Sequence, residues 1–203
     1  MFLAPVGTTA HAIVENMVLG QSFDQAYENA RAQYLEEVTE HHWHLVDALS
    51  DNIKNFFFRL DRFSETNPIV RMDPERKYAV DRDWNPVAEG DKSAYFSGII
   101  DLSVYLENMD GLVIDHKRGG SAKYGINSHR FQTTSYCVIK AAHNPELRGI
   151  TPMINFLAEG EVASGDYASR DKILNEYTKS IDSTIHGAVD TVKEAGRFKH
   201  KTG

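Results

Sequence analysis

Residues 97–120, SGIIDLSVYLENMDGLVIDHKRGG, read as two apolar strands carrying three charged residues: Asp101 at the end of the first, Asp115 and Lys117 at the end of the second. Side chains alternate faces along a strand, so Asp115 and Lys117 point to one side and Ile114 and His116 to the other. Pairing the strands as a hairpin, with residues 107–111 as its turn, brings Asp101 close to Asp115. Two carboxylates and a lysine then converge at one sheet edge. Apolar flanks make such a cluster costly unless its charge is compensated, and a divalent cation does that directly.

Working outward from that stretch, Gly7, Thr8 and Thr9 offer an N-cap for a helix over residues 10–19, in which His11 and Glu15, four apart, share a face. Gly20 fits a helix end, Ser22 to Asp24 open a second helix, and a third periodic piece covers residues 45–63. The run Phe56, Phe57, Phe58 reads as core. After Asn67-Pro68 the period changes to that of strands: residues 69–72, 76–80 and 94–105, with a polar turn over 83–91. Beyond the loop at 118–121, Asn127 or Ser128 caps a helix over 129–143, where Gln132 and Tyr136 share a face. A strand over 150–162 and an amphipathic helix over 169–195 follow. The order predicts an α/β or α+β sheet flanked by α-helices, and the α/β class with a mixed central β-sheet is the one expected. One domain spans 1–203, with N-terminal helices over 1–66, a sheet and helix carrying the charged cluster over 67–165, and a C-terminal helix and basic tail over 166–203.

The composition, 41% hydrophobic and 25% charged over 203 residues, is that of a folded domain with a sizeable core. No apolar run reaches the roughly 18 residues of a membrane span, and MFLAPVGTTA lacks the basic start and apolar centre of a signal peptide. A cytoplasmic location is expected, the host cytoplasm if the chain is phage-encoded. Cys137 alone excludes an internal disulfide framework and a four-thiolate zinc or iron-sulfur site. The net charge of −7 excludes a generally basic coat but leaves room for a local phosphate-binding patch.

Four motifs in order, GTTAH (7–11), GIID (98–101), VIDHKRG (113–119) and QTTSY (132–136), resemble the RecB-like branch of the PD-(D/E)XK nuclease superfamily, over residues 11 to about 162. The resemblance implies a restriction-endonuclease-like core and a role for each matching position. Asp101 and Asp115 would bind metal with the His116 backbone carbonyl, and Lys117 would orient or activate the attacking water and stabilise charge on the phosphorane. His11 would add an imidazole, with Glu15 a neighbour or outer-layer group. Gln132 and Tyr136 would contact the DNA backbone, and Mg²⁺, or Mn²⁺ in its place, would be the cofactor. Phosphodiester hydrolysis needs a hydroxide near neutral pH, neutralisation of the scissile phosphate and a stabilised leaving oxygen, which hard cations on carboxylates provide. The expected activity is that of a stand-alone, phage-type DNA exonuclease of recombination, repair or phage DNA processing. A structure-specific or restriction/repair endonuclease, and a non-catalytic DNA- or protein-binding module, remain the alternatives. Neither the cysteine cluster of the iron-sulfur members nor a helicase motif such as GxxxxGK[ST] occurs, and few residues precede the His11 motif, where relatives often carry a further segment.

The basic residues Lys117, Arg118, Lys123, His129, Arg130 and Lys140 are expected around the site as a phosphate track, and Arg197, Lys199, His200 and Lys201 as a tail. Of these, Arg118, Lys123 and Arg130 join Gln132 and Tyr136 as the expected DNA contacts. A recombination or single-strand-annealing protein and a second copy of the chain are the other expected partners. His41, His42 and His44 read as a solvated helix face, because no matching cysteine or histidine pair stands at a finger-like distance. Cys137 reads as a small buried apolar residue.

Overall fold

The computed structural model describes residues 4–119 and 122–199. The side chains of Lys123, Val189 and the expected basic tail (Arg197, Lys199, His200, Lys201) lie outside the described residues. In chain order the elements are helices α1 (Ala4–Val18), α2 (Phe23–Tyr34), α3 (Trp43–Asp47) and α4 (Ser50–Ser64), then strands β1 (Ile69–Val80), β2 (Pro86–Val87), β3 (Phe96–Leu106) and β4 (Asp110–Lys117). A 3₁₀ segment, Ala122–His129, leads into α5 (Arg130–His143). Strands β5 (Gly149–Phe156), β6 (Glu161–Ser164) and β7 (Ala168–Ser169) follow, and the chain closes on α6 (Arg170–Lys172), a π-helical turn (Ile173–Tyr177) and α7 (Thr178–Lys199).

The sheet runs β2-β1-β3-β4-β5-β6, with β7 on β5. β1, β3 and β4 form an antiparallel meander; β4 and β5 are parallel, joined through α5. Parallel neighbours need a crossover that covers one face of the sheet, and α5 supplies it. This is an α/β architecture with a mixed sheet flanked by helices. Val80, Ile100, Val113 and Ile150 pack with Val138 and Ile139 of α5 on one face; Leu102, Val104, Leu112 and Ile114 pack with Phe56 and Leu60 of α4 on the other. α1, α2 and α3 build a third cluster around Ile13, Ala26, Ala30 and Trp43.

Several local expectations are corrected. α1 already includes Ala4, so Gly7 to Thr9 sit inside the helix; the Thr9 hydroxyl donates back to the Pro5 carbonyl at 2.8 Å rather than capping anything. Ser22 does cap α2, in a reciprocal capping box with Gln25. α5 starts at Arg130, and the Ser128 hydroxyl donates to the Gly125 carbonyl instead of capping the helix. Residues 150–162 are not one strand: Gly160, at φ +65°, turns the chain between β5 and β6. Of the three phenylalanines only Phe56 is buried; Phe58 is 64% exposed, because consecutive helical positions lie about 100° apart.

Candidate active site

The site is built where a regular sheet goes out of phase. Ile100 packs on the α5 face and Leu102, two residues on, packs on the α4 face, so the alternation of β3 slips at Asp101. The neighbouring strand yields at the same place. β1 and β3 pair at Pro74↔Leu102 and Arg76↔Ile100, with Glu75 between them at φ +43°, a left-handed backbone that a residue bearing Cβ adopts at a cost. β4 diverges there too, since its pairing with β3 stops at Leu102↔Ile114. The opened ladder is filled by a side chain: the His116 backbone N–H donates to Asp101 Oδ2 at 2.7 Å.

Three side chains meet in this gap. His11, from α1, lies with Nε2 2.8 Å from the His116 carbonyl oxygen and Nδ1 3.3 Å from Glu75 Oε1 and 3.7 Å from Asp101 Oδ2. Ligand atoms of His11, Glu75 and Asp101 all lie within 4.8 Å of one another; among the described residues no other group of three or more His, Cys, Asp and Glu does so. His11 and Glu75 border a cleft of about 420 Å³ that Glu15 and Lys77 also line. Glu15 is therefore a neighbour of the trio, and burial with the nearby Glu75 charge raises its carboxyl above the usual range.

Asp115 does not join that trio. It lies on the α5 face with Lys117, whose Nζ donates to Oδ1 at 3.1 Å and sits 2.8 Å from Oδ2. That second oxygen is buried with no aligned hydrogen-bond donor, so it keeps acceptor capacity. On the opposite face the His116 ring packs edge-on against Phe56, and its Nδ1 accepts from the Asn155 amide at 3.0 Å. Burial, with the charges of His11 and Lys117, holds His116 down at about 3, so it is neutral and contributes its carbonyl rather than its ring.

The helix α5 lays Tyr136 over β3 at Gly98, where a Cβ would stand 3.3 Å from the tyrosine ring and 3.2 Å from Ile139. Gln132 Nε2 donates to the Tyr136 hydroxyl at 2.8 Å, leaving the phenolic hydrogen free for a ligand. Burial and the charges of Asp115, Asp101 and Glu75 push the Tyr136 phenol up to about 12. His129, half-buried at the start of α5, packs its ring against Phe156 of β5, with ring centroids 6.2 Å apart. Arg118 is half-buried beside Gly7 of α1, and Arg130 is exposed.

Lys140 does not belong to any phosphate track. It is fully buried, with Nζ donating to the hydroxyls of Tyr78, at 3.0 Å, and Tyr105. The residue that sequence reasoning missed is Glu75. Its signal is the proline before it: Pro74 has no backbone N–H to give a ladder, so a proline inside a strand pattern marks an interruption there.

The electrostatics are those of a site short of positive charge. Burial drives the Asp101 carboxyl up to about 7, with His11 pulling it down and Asp115 and Glu75 pushing it further up. Asp115 is raised by burial against the pull of Lys117. Burial alone would lower His11, but the Glu75 hydrogen bond and the Asp101 charge outweigh it and the net shift is upward. Carboxylate oxygens, a backbone carbonyl and one imidazole are a donor set that suits a hard divalent cation. No protein-family model matches this chain, and no curated protein matches it significantly.

Proposed function

We propose that this chain is a divalent-cation-dependent deoxyribonuclease with a restriction-endonuclease-like core of the RecB-like PD-(D/E)XK type, acting as an exonuclease on DNA. The observation that carries this reading is the gap between β3 and β4, where His11, Asp101 and the His116 carbonyl converge next to the Asp115–Lys117 pair. Asp101, Asp115, the His116 carbonyl and His11 would hold Mg²⁺ or Mn²⁺. When bound, the cation supplies Lewis-acid polarisation of the phosphate and a more acidic attacking water.

The chain's own groups do the rest. Lys117 Nζ, held by Asp115, can donate to the attacking water or to a phosphate oxygen and carries the positive charge that the developing phosphorane needs. Tyr136, fixed by Gln132, can donate to a non-bridging phosphate oxygen and orient the backbone for in-line attack. Arg118 and Arg130 provide phosphate attraction in a protein of net charge −7.

End-labelled linear DNA and a covalently closed circle, each incubated with Mg²⁺ or EDTA, test the proposal. Mg²⁺-dependent loss of the linear substrate alone is expected, with Asp115→Ala and Lys117→Ala lowering the rate by at least about 10³-fold while the circular-dichroism spectrum is unchanged. Full activity of either variant, or equal cleavage in EDTA, refutes it.

A further inference from the structure

The histidine in the gap stands between two acceptors, and the role of one of them follows from geometry. Nε2 of His11 and the His116 carbonyl oxygen are 2.8 Å apart. With the ring hydrogen on Nε2 this contact is a hydrogen bond to the carbonyl; adjacent ligands on an octahedral cation with bonds of about 2.1 Å lie about 3.0 Å apart, so with the hydrogen on Nδ1 the same spacing lets the pair share one ion. An imidazole can ligate through Nε2 only if that nitrogen offers its lone pair, which requires the ring hydrogen to be on Nδ1 with an acceptor to hold it. Nδ1 has two carboxylates within reach. Asp101 Oδ2, at 3.7 Å, already accepts the His116 N–H at 2.7 Å; Glu75 Oε1, at 3.3 Å, is the nearer.

Resting on the cation site proposed above, we propose that Glu75 is a positioning residue: its carboxylate holds the Nδ1–H of His11 and so aims Nε2, beside the His116 carbonyl, at the cation. A carboxylate–histidine–metal arrangement of this kind fixes both the tautomer and the ring orientation. Glu75 holds its left-handed φ of +43° at the point where β1 and β3 leave their ladder, between the pairs Pro74↔Leu102 and Arg76↔Ile100.

Two variants and two readouts test it. Glu75→Gln keeps an acceptor for Nδ1–H; Glu75→Gly removes it while suiting the left-handed backbone. Mn²⁺ binding is measured by calorimetry, and imidazole ligation by the ¹⁴N coupling in pulsed electron paramagnetic resonance of the Mn²⁺-loaded protein. Expected are wild-type binding with ¹⁴N coupling, near-wild-type behaviour of Glu75→Gln, and binding weakened about 10–100-fold with the ¹⁴N coupling lost in Glu75→Gly. Equal weakening of both variants with the coupling retained overturns the proposal in favour of direct ligation by Glu75. Unchanged affinity in Glu75→Gly overturns it alone. A wild-type chain that binds no Mn²⁺ overturns it together with the cation site.

Discussion

Replacing Asp101 by asparagine should make the cation-free protein more stable and the cation-loaded protein less so. The carboxyl is 11% exposed, and burial raises it from 3.8 to about 7. A carboxyl raised on folding binds its proton more tightly in the native state than in the unfolded one, so its contribution is fully present below about pH 3.8 and is lost as pH rises through about 7. At 1.36 kcal/mol per pH unit, the ionised group costs the fold up to about 4 kcal/mol at pH 8 relative to pH 3. Asparagine keeps an oxygen for the His116 N–H and removes the charge, but it also removes the attraction to His11. A net gain of about 2 kcal/mol at pH 8 in EDTA is therefore expected, shrinking to nothing near pH 4. A cation that binds only the native state adds about 2.7 kcal/mol to the wild type at a hundredfold excess over Kd, and nothing to a variant that cannot hold it. Urea titrations at pH 4 and pH 8, with EDTA or saturating Mg²⁺, measure all four corners. An Asp101→Asn advantage independent of pH, or Mg²⁺ stabilisation retained in the variant, refutes the reasoning.

Two further outcomes follow from the same physics. Burial lowers the Lys140 amine from 10.5 to about 7, so the native state sheds its proton first and stability rises with pH between those values; Lys140→Met should be about 2 kcal/mol more stable than wild type at pH 6 and about 2 kcal/mol less stable at pH 10, where Tyr78 misses its partner, as read from urea midpoints. Gly98→Ala should push Tyr136 off β3 by a few tenths of an ångström, lowering cleavage about tenfold while stability measured by thermal melting changes by less than about 1 kcal/mol.

Much of the frame is legible in the sequence because it rests on short-range rules. The β3–β4 hairpin, the shared side of Asp115 and Lys117, and the α5 pairing of Gln132 with Tyr136 follow from periods of 2 and 3.6. The Ser22 cap follows from its spacing to Gln25. Burial of a charged residue obeys no such rule. Lys140 sits on α5 at the same sequence distance from Tyr136 as Gln132, yet it points into the sheet and finds Tyr78 and Tyr105 from two other strands, partners 62 and 35 residues away.

The placement of Asp101 shows why the rest of the site could not be read from periodicity. Strict alternation puts Asp101 on the face of Ser103 and Tyr105, opposite both Ile100 and Leu102. The fold instead parts Ile100 from Leu102, and the chain absorbs the slip in both strands at once, through Asp101 on β3 and Glu75 on β1. A shift in one strand alone would break the register, but from Arg71↔Tyr105 to Val80↔Phe96 the pairing keeps one register across the interruption. The two carboxylates are therefore coupled by the sheet: a substitution that restores regular backbone at Glu75 also moves Asp101. His11, in the middle of α1, reaches both at this interruption. The irregularity is the means by which helix α1, the antiparallel strands β1 and β3 and the end of β4 present donors to one point, which a regular sheet would keep on separate faces.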